Sequence, residues 1–195
     1  IIKLDNFIKD IIEYSRNART ELSYESLHIE SFIEDIYKNL DYLDNAHKID
    51  RQVEIQEEVC FITDTKRLSV IFNNLISNAI NYHNFQQEHP WIKIHFLVQA
   101  KEALISISDN GLGIAEEHIH KIFNMFYRAS YDSKGSGLGL YIVKEAVSKL
   151  GGTIAVASQK NNGTIFTIKI PNHTFEGIQD QDHHNNLKEN VYLES

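Results

Sequence analysis

Apolar residues recur with a helical period over the first 22 positions. Leu4, Phe7, Ile8, Ile11, Ile12, Ala18 and Leu22 fall on one narrow seam, with Ser15 in register. So narrow a seam suits packing against another helix. A second helical pattern covers about 30–46, with Phe32, Ile33, Ile36, Tyr37 and Leu40 facing inward. Short β-like runs follow, VEIQEEV (53–59) and CFIT (60–63), and a strand is also expected to begin at His28. From about Thr65 to Tyr82, Leu68, Ile71, Phe72, Leu75, Ile76 and Ala79 form a 3.6-residue stripe, with Asp64 placed as N-cap. WIKIHFLVQA (91–100) and ALISISD (103–109) alternate and suit a hairpin. Helices are expected at about 116–126 and 138–150, the second stopped by Gly151 and Gly152. TIAVAS (153–158) and GTIFTIKIP (163–171) form a last strand pair around a turn at Asn161, Asn162 and Gly163. Beyond Pro171 the chain turns polar, and 174–195 reads as a disordered tail. These elements predict an α/β (α+β) two-layer sandwich: a mixed sheet with about three helices on one face, and a helix in front.

The polar side of the 65–82 helix raises a question of chemistry. NNLISNAINY (73–82) holds four asparagines, although asparagine is a mediocre helix former. Asn74, Asn78 and Asn81 lie at i, i+4 and i+7 on one stripe. Either the stripe is simply wet, or it holds something that wants amide oxygens.

Two glycine-rich segments lie downstream. DNGLGI (109–114) places Gly111 and Gly113 directly after a strand that ends in an acid. GSGLGLYIVKEAV places Gly135, Gly137 and Gly139 just before a helix, where close backbone approach and free N–H groups suit phosphate. Neither segment is a P-loop, because GKS or GKT is absent, and GSGLGL does not follow a strand as a Rossmann fingerprint requires. By themselves, Asp109 is equally a turn-capping aspartate, Phe123 and Phe126 an ordinary core pair, and Arg128 and Lys134 solvated surface charges.

The order of these pieces is more specific than any one of them. An asparagine-striped helix, DxGxG, an FxxF pair, GxGLGL and a strand pair opening with GT resemble the ATP-binding domain of sensor histidine kinases. The wider family includes gyrase, the heat-shock chaperone with the same nucleotide fold, and mismatch-repair ATPases. The resemblance spans roughly 24–172, and the fold it implies is the Bergerat-type sandwich. It implies ATP and Mg²⁺ as cofactors, with Asn78 the metal ligand, Asn74 its partner, and Tyr82 against the adenine ring. Asp109 would accept from the adenine amino group, while Gly111, Gly113 and Ile114 line the base. Phe123 and Phe126 would sit at the base of a lid over about 127–136. Arg128 and Lys134 would offset phosphate charge, and Gly135, Ser136, Gly137, Leu138 and Gly139 would wrap the phosphates.

The resemblance also sorts the reaction classes. Hydrolysing relatives carry glutamate four residues before the metal asparagine; this chain has Asn74, and an amide takes no proton. Transfer to histidine, whose imidazole is already a nucleophile, is therefore favoured over a stand-alone ATPase. Many relatives have lysine at the position of Asn81, so a nucleotide-binding pseudokinase acting as an interaction module is the alternative.

Residues 1–23 look like the second helix and linker of a dimerisation hairpin, 24–173 like the ATP-binding catalytic domain, and 174–195 like a tail. The acceptor histidine belongs to the first hairpin helix. None of the ten histidines here, including His28, His47, His118, His120, His173, His183 and His184, stands in such a context. The chain opens on Ile within a helical pattern, so a longer protein is expected. Its implied partners are a second copy, through the hairpin, and a response regulator. At a net charge of -8, a nucleic acid or anionic membrane partner is disfavoured. One cysteine, Cys60, allows no internal disulfide and fits a reducing compartment. No run is long enough to span a bilayer, so a cytoplasmic domain is expected, anchored if at all through other segments.

Overall fold

The computed structural model describes residues 8, 11, 12, 15, 19–84, 89–129 and 135–173. Lys134, the expected tail at 174–195 and its His183 and His184 lie outside the described residues. The expected N-terminal helix is described at Ile8, Ile11, Ile12, Ser15 and Arg19, all helical.

Strand β1 (Glu25–Leu27) leads into helix α1 (Ile29–Leu40), then a 3₁₀ turn at Ala46–Lys48 and strand β2 (Asp50–Glu57). Strand β3 (Phe61–Thr63) precedes helix α2 (Thr65–Asn81), and β4 (Trp91–Val98) and β5 (Glu102–Asp109) form a hairpin. A four-residue helix, α3 (Glu116–Ile119), comes before α4 (Gly139–Lys149), and β6 (Thr153–Ser158) and β7 (Thr164–Pro171) close the domain. The main sheet runs β2-β4-β5-β7-β6. Among the described residues, only the β2–β4 pair is parallel, which requires the crossover through β3 and α2. β1 and β3 make a separate antiparallel ladder.

Alternation decides which face is covered. Ile92, Ile94, Phe96 and Val98 of β4, with Ala103, Ile105 and Ile107 of β5 and Phe166, Ile168 and Ile170 of β7, are all buried. They meet Ile33, Ile36 and Leu40 of α1, the expected stripe of α2, and Val143, Ala146 and Val147 of α4 in one core. Phe72 lies at its centre, fully buried, stacked on Phe96 at 5.6 Å and edge-on to Phe32 at 5.1 Å. The mixed sheet with its helical layer is the expected sandwich.

Some boundaries depart from the sequence reading. His28 does not open a strand: it precedes α1, and its carbonyl accepts the Phe32 N–H at 3.0 Å. Helix α1 stops at Leu40 rather than near 46, because the chain turns back toward β2. The helix expected over 116–126 lasts one turn; 120–127 continues as linked turns, with Asn124 N–H bonded to Lys121 O and Tyr127 N–H to Asn124 O. Apolar spacing survives in such turns because Ile122 and Phe123 still have to reach the core. Asp64 caps α2 as expected, its side chain accepting the Arg67 N–H at 2.9 Å.

Truncating Phe72 to Ala should lower the unfolding free energy by about 3–5 kcal/mol in urea titrations, because two aromatic neighbours lose a shared partner.

Candidate functional site

The asparagine helix divides cleanly. Leu68, Ile71, Phe72, Leu75, Ile76, Ala79 and Ile80 are buried, Asn73, Asn74, Ser77 and Asn78 are half-buried, and Asn81 is exposed. Asn73 and Asn74 each donate Nδ2 to the carbonyl four residues back, Ser69 O and Val70 O, both at 2.8 Å. That back-bonding engages Nδ2 of each amide and leaves Oδ1 to other partners. Asn74 Oδ1 lies against the first residue of α4: a Cβ on Gly139 would sit 2.7 Å from it. Helices α2 and α4 pack together, and glycine at 139 leaves room for the amide oxygen. One turn later, the Asn78 side chain makes no hydrogen bond with any described residue.

Asp109 ends β5, half-buried, opposite Thr164 of β7. Burial pushes its carboxyl up to about 6, while the N–H groups of Gly111 and Thr164 donate to it and pull the other way. The Gly111 bond measures 2.8 Å. The following loop is clamped on two sides. Leu112 N–H bonds the carbonyl of Tyr82 at 3.0 Å, and Leu112 O accepts from Asn161 N–H at 2.7 Å. Ile114 N–H donates to Ser158 Oγ at 2.8 Å, and that hydroxyl donates on to Gly163 O. Gly113 has φ +62, and a Cβ there would fall 2.0 Å from Gln159 O. No other residue fits. Tyr82, at 38% exposure, stands at the rim where α2 ends, and its carbonyl also faces Gly111.

The aromatic pair is split. Phe123 packs onto the core, edge-on to Phe166 at 6.4 Å. Phe126 is exposed, with φ +64, and its backbone lies against Gly137. Arg128 is exposed just beyond it. At the other flank Gly135 is exposed, Ser136 Oγ accepts the Leu138 N–H at 3.0 Å, and Leu138 is fully buried. No side chain caps the first turn of α4. A helix start of this kind directs backbone N–H groups and the positive end of the helix dipole toward whatever anion approaches it.

The structure thus joins Asn74 to Gly139, Asp109 and Tyr82 to Gly111, and Phe126 to Gly137. Ile114 and Phe123 are half-buried and pack against the core, and Leu138 is fully buried in the chain's approach to α4. Sequence reading singled out neither Thr164 nor Ser158, which fix Asp109 and the 109–114 loop; the Gly-Thr opening of the last strand was the available signal. It also missed Tyr127, whose hydroxyl lies 2.8 Å from His118 Nδ1 and holds the flank after Phe126. Among the described residues no cluster of His, Cys, Asp or Glu is placed to hold a metal by itself.

The pattern described as "Histidine kinase-, DNA gyrase B-, and HSP90-like ATPase" matches residues 63–174, more than half of the chain. The chain belongs to that family. Among similar proteins, the methanogenesis regulatory histidine kinase FilI of Methanothrix harundinacea is 29% identical over 88% of this chain and 19% of its own length. The sensor protein RprX of Bacteroides fragilis is 37% identical over 64% of this chain and 24% of its own. The crystal structure of full-length ShkA in complex with AMPPNP shares the fold, with a TM-score of 0.72 at 23% identity over 86% of this chain and 35% of that one. The chain therefore spans about a quarter or less of the curated relatives named. No helix among the described residues is long and apolar enough to cross a membrane.

Two outcomes follow from this family site's geometry. Gly113→Ala should cost more than about 2 kcal/mol of stability in denaturant titrations, since strain at positive φ adds to a backbone clash. The folded state also holds the Asp109 proton more tightly than the unfolded chain, so this group's contribution to stability falls as pH rises from 3.8 to about 6. Unfolding of Asp109→Asn beside wild type, from pH 4 to 7.5, should show the wild type losing about 1–3 kcal/mol relative to the variant.

Proposed function

We propose that this chain is the ATP-binding kinase domain of a sensor histidine kinase. It binds Mg·ATP and presents the γ-phosphate to a histidine on a dimerisation hairpin, for relay to a response-regulator aspartate. The observation that carries this reading is Asn74 Oδ1 held against Gly139 at the uncapped start of α4. An amide oxygen and the N-terminus of a helix meet there, which is what a magnesium-bound triphosphate needs.

The residues fit that ligand. Asn74 and Asn78 offer neutral, hard oxygen donors one turn apart, and Asn78 has no competing partner among the described residues. Magnesium accepts one or two protein oxygens and completes its shell with water and phosphate, so a protein-only cage is unnecessary. Bound there, it would neutralise charge on the transferring phosphoryl group. Asp109 would accept a hydrogen bond from the adenine amino group, which selects against guanine's carbonyl at that position. Tyr82 would lie along the ring, and Gly111 and Gly113 bring backbone beside it. Gly135, Ser136 and Gly137, with Arg128 and Lys134, would close over the phosphates.

No carboxylate stands at position 74 to activate water. The chain's part is then to bind, orient and exclude, and a histidine nitrogen supplies the nucleophile. In this reading residues 1–23 are the end of the hairpin and its linker, 24–173 the catalytic domain, and a second copy pairs through the hairpin. The exposed Asn81 brings no charge to the site, which favours, as the second reading, a domain that binds nucleotide without transferring phosphate.

Calorimetric titration of ATP should show binding that depends on Mg²⁺ and is lost in Asn78→Ala. Affinity should fall about tenfold per unit below pH 6, as Asp109 takes up a proton, and Asp109→Ala should flatten that slope. Binding that ignores Mg²⁺ and both substitutions would refute the site. Binding without phosphorylation of a supplied histidine hairpin would favour the second reading.

A further inference from the structure

Asp64 and Arg67 are opposite charges almost wholly buried, at 1% and 4% exposure. Neither belongs to the site described above. Both stand at the start of α2, about two turns before Asn74 and three before Asn78. Removing an ion pair from water costs several kcal/mol, which is offset only where the remaining donors and acceptors are used. Here the Arg67 Nη1 and Nη2 donors and the second Asp64 oxygen are used on a different segment of the chain. The Arg67 guanidinium pairs with Asp64 and donates to the carbonyls of Thr20 and of Glu21, the latter at 3.1 Å. Asp64 Oδ2 accepts the Ser23 N–H at 3.0 Å, while Oδ1 caps α2. All three linker contacts are made by backbone groups, so they depend on Asp64 and Arg67 rather than on the linker's side chains.

The neighbouring contacts make the junction rigid. Tyr24, next along the linker, packs its ring 4.2 Å from that of His173. Asn172 bonds Ile62 N–H at 2.9 Å and also reaches the carbonyls of Cys60 and Gln99. The segments entering and leaving the domain are thus both tied to the β3–α2 junction. Upstream, the chain is helical at Arg19, one residue before the first clasped carbonyl.

We infer that Asp64 and Arg67 are positioning residues: they clasp the end of the N-terminal helix to the helix that carries Asn74 and Asn78, so the two move as one body. The rigid α2 connects its clasped first turn to the asparagine stripe. Nucleotide held by the stripe then alters the linker, and by reciprocity a shift of the N-terminal helix alters nucleotide affinity. The nucleotide half of this inference rests on the proposed function; the clasp itself does not.

Hydrogen exchange at residues 20–24, read on the whole chain with and without saturating Mg·AMPPNP, tests it alongside calorimetry of the same samples. The wild-type Ser23 amide should exchange at least about a hundredfold more slowly than in a free chain, and nucleotide should change that rate about threefold or more. Arg67→Lys keeps the charge but lacks the planar fork that spans two carbonyls, and should lose both effects while still binding nucleotide. Ser23→Pro, which deletes the linker donor and restrains the backbone at 22–23 while leaving the residues of α2 unchanged, should abolish the nucleotide response at the remaining linker amides even if Arg67→Lys does not fold. Ser23 exchange near the free-chain rate, full protection in Arg67→Lys, or nucleotide binding with unchanged linker exchange would each overturn the inference. Absence of nucleotide binding in the wild type would instead remove the proposed function, with the clasp still decided by the nucleotide-free rates.

Discussion

Everything in this domain depends on α2 having two incompatible faces. One face, from Leu68 to Ile80, is sealed against the sheet through Phe72 and Phe96, and that burial supplies the energy that keeps the helix formed. The other face carries asparagines whose helix propensity is poor and whose amides bond back to their own helix. A free peptide of this sequence would be a marginal helix. Held between α1 and α4, it becomes a rigid rail on which Asn74 and Asn78 keep fixed positions.

The same rail organises both ends of the chain's chemistry. At its C-terminus, the carbonyl of Tyr82 receives Leu112 N–H and so sets the loop that follows Asp109. At its N-terminus, Asp64 and Arg67 receive the incoming linker. The β6–β7 turn completes the clamp through Ser158, Asn161 and Gly163. Asp109 is raised because this clamp shields it from water, yet two backbone N–H groups still favour its charged form. The result is a carboxyl group that ionises only near pH 6.

Much of this was legible in the chain. The stripe of α2, its Asp64 cap, the β4–β5 alternation and the stop at Gly151 all follow from local periodicity and turn chemistry, and all are present. The misreadings fall at the ends of elements. The end of α1 and the turns over 120–127 lie where apolar residues point inward without a regular backbone, and His28 separates buried Leu27 of β1 from buried Ile29 of α1, so periodicity alone misjudges the element. Phe123 and Phe126 share a spacing but not a fate, because a left-handed backbone at Phe126 turns its side chain outward.

The sequence by itself determined which residue types were available: amide oxygens on one helical stripe, an acid before two glycines, and a glycine-rich approach to a helix. These are local facts, set by spacing within a single element. Only the tertiary structure decided that Asn74 meets Gly139, that Thr164 supports Asp109, and that a buried arginine holds the carbonyls of Thr20 and Glu21. Each of those pairs lies on different elements far apart in the chain. Their meeting depends on strand order and helix packing, which no single segment encodes.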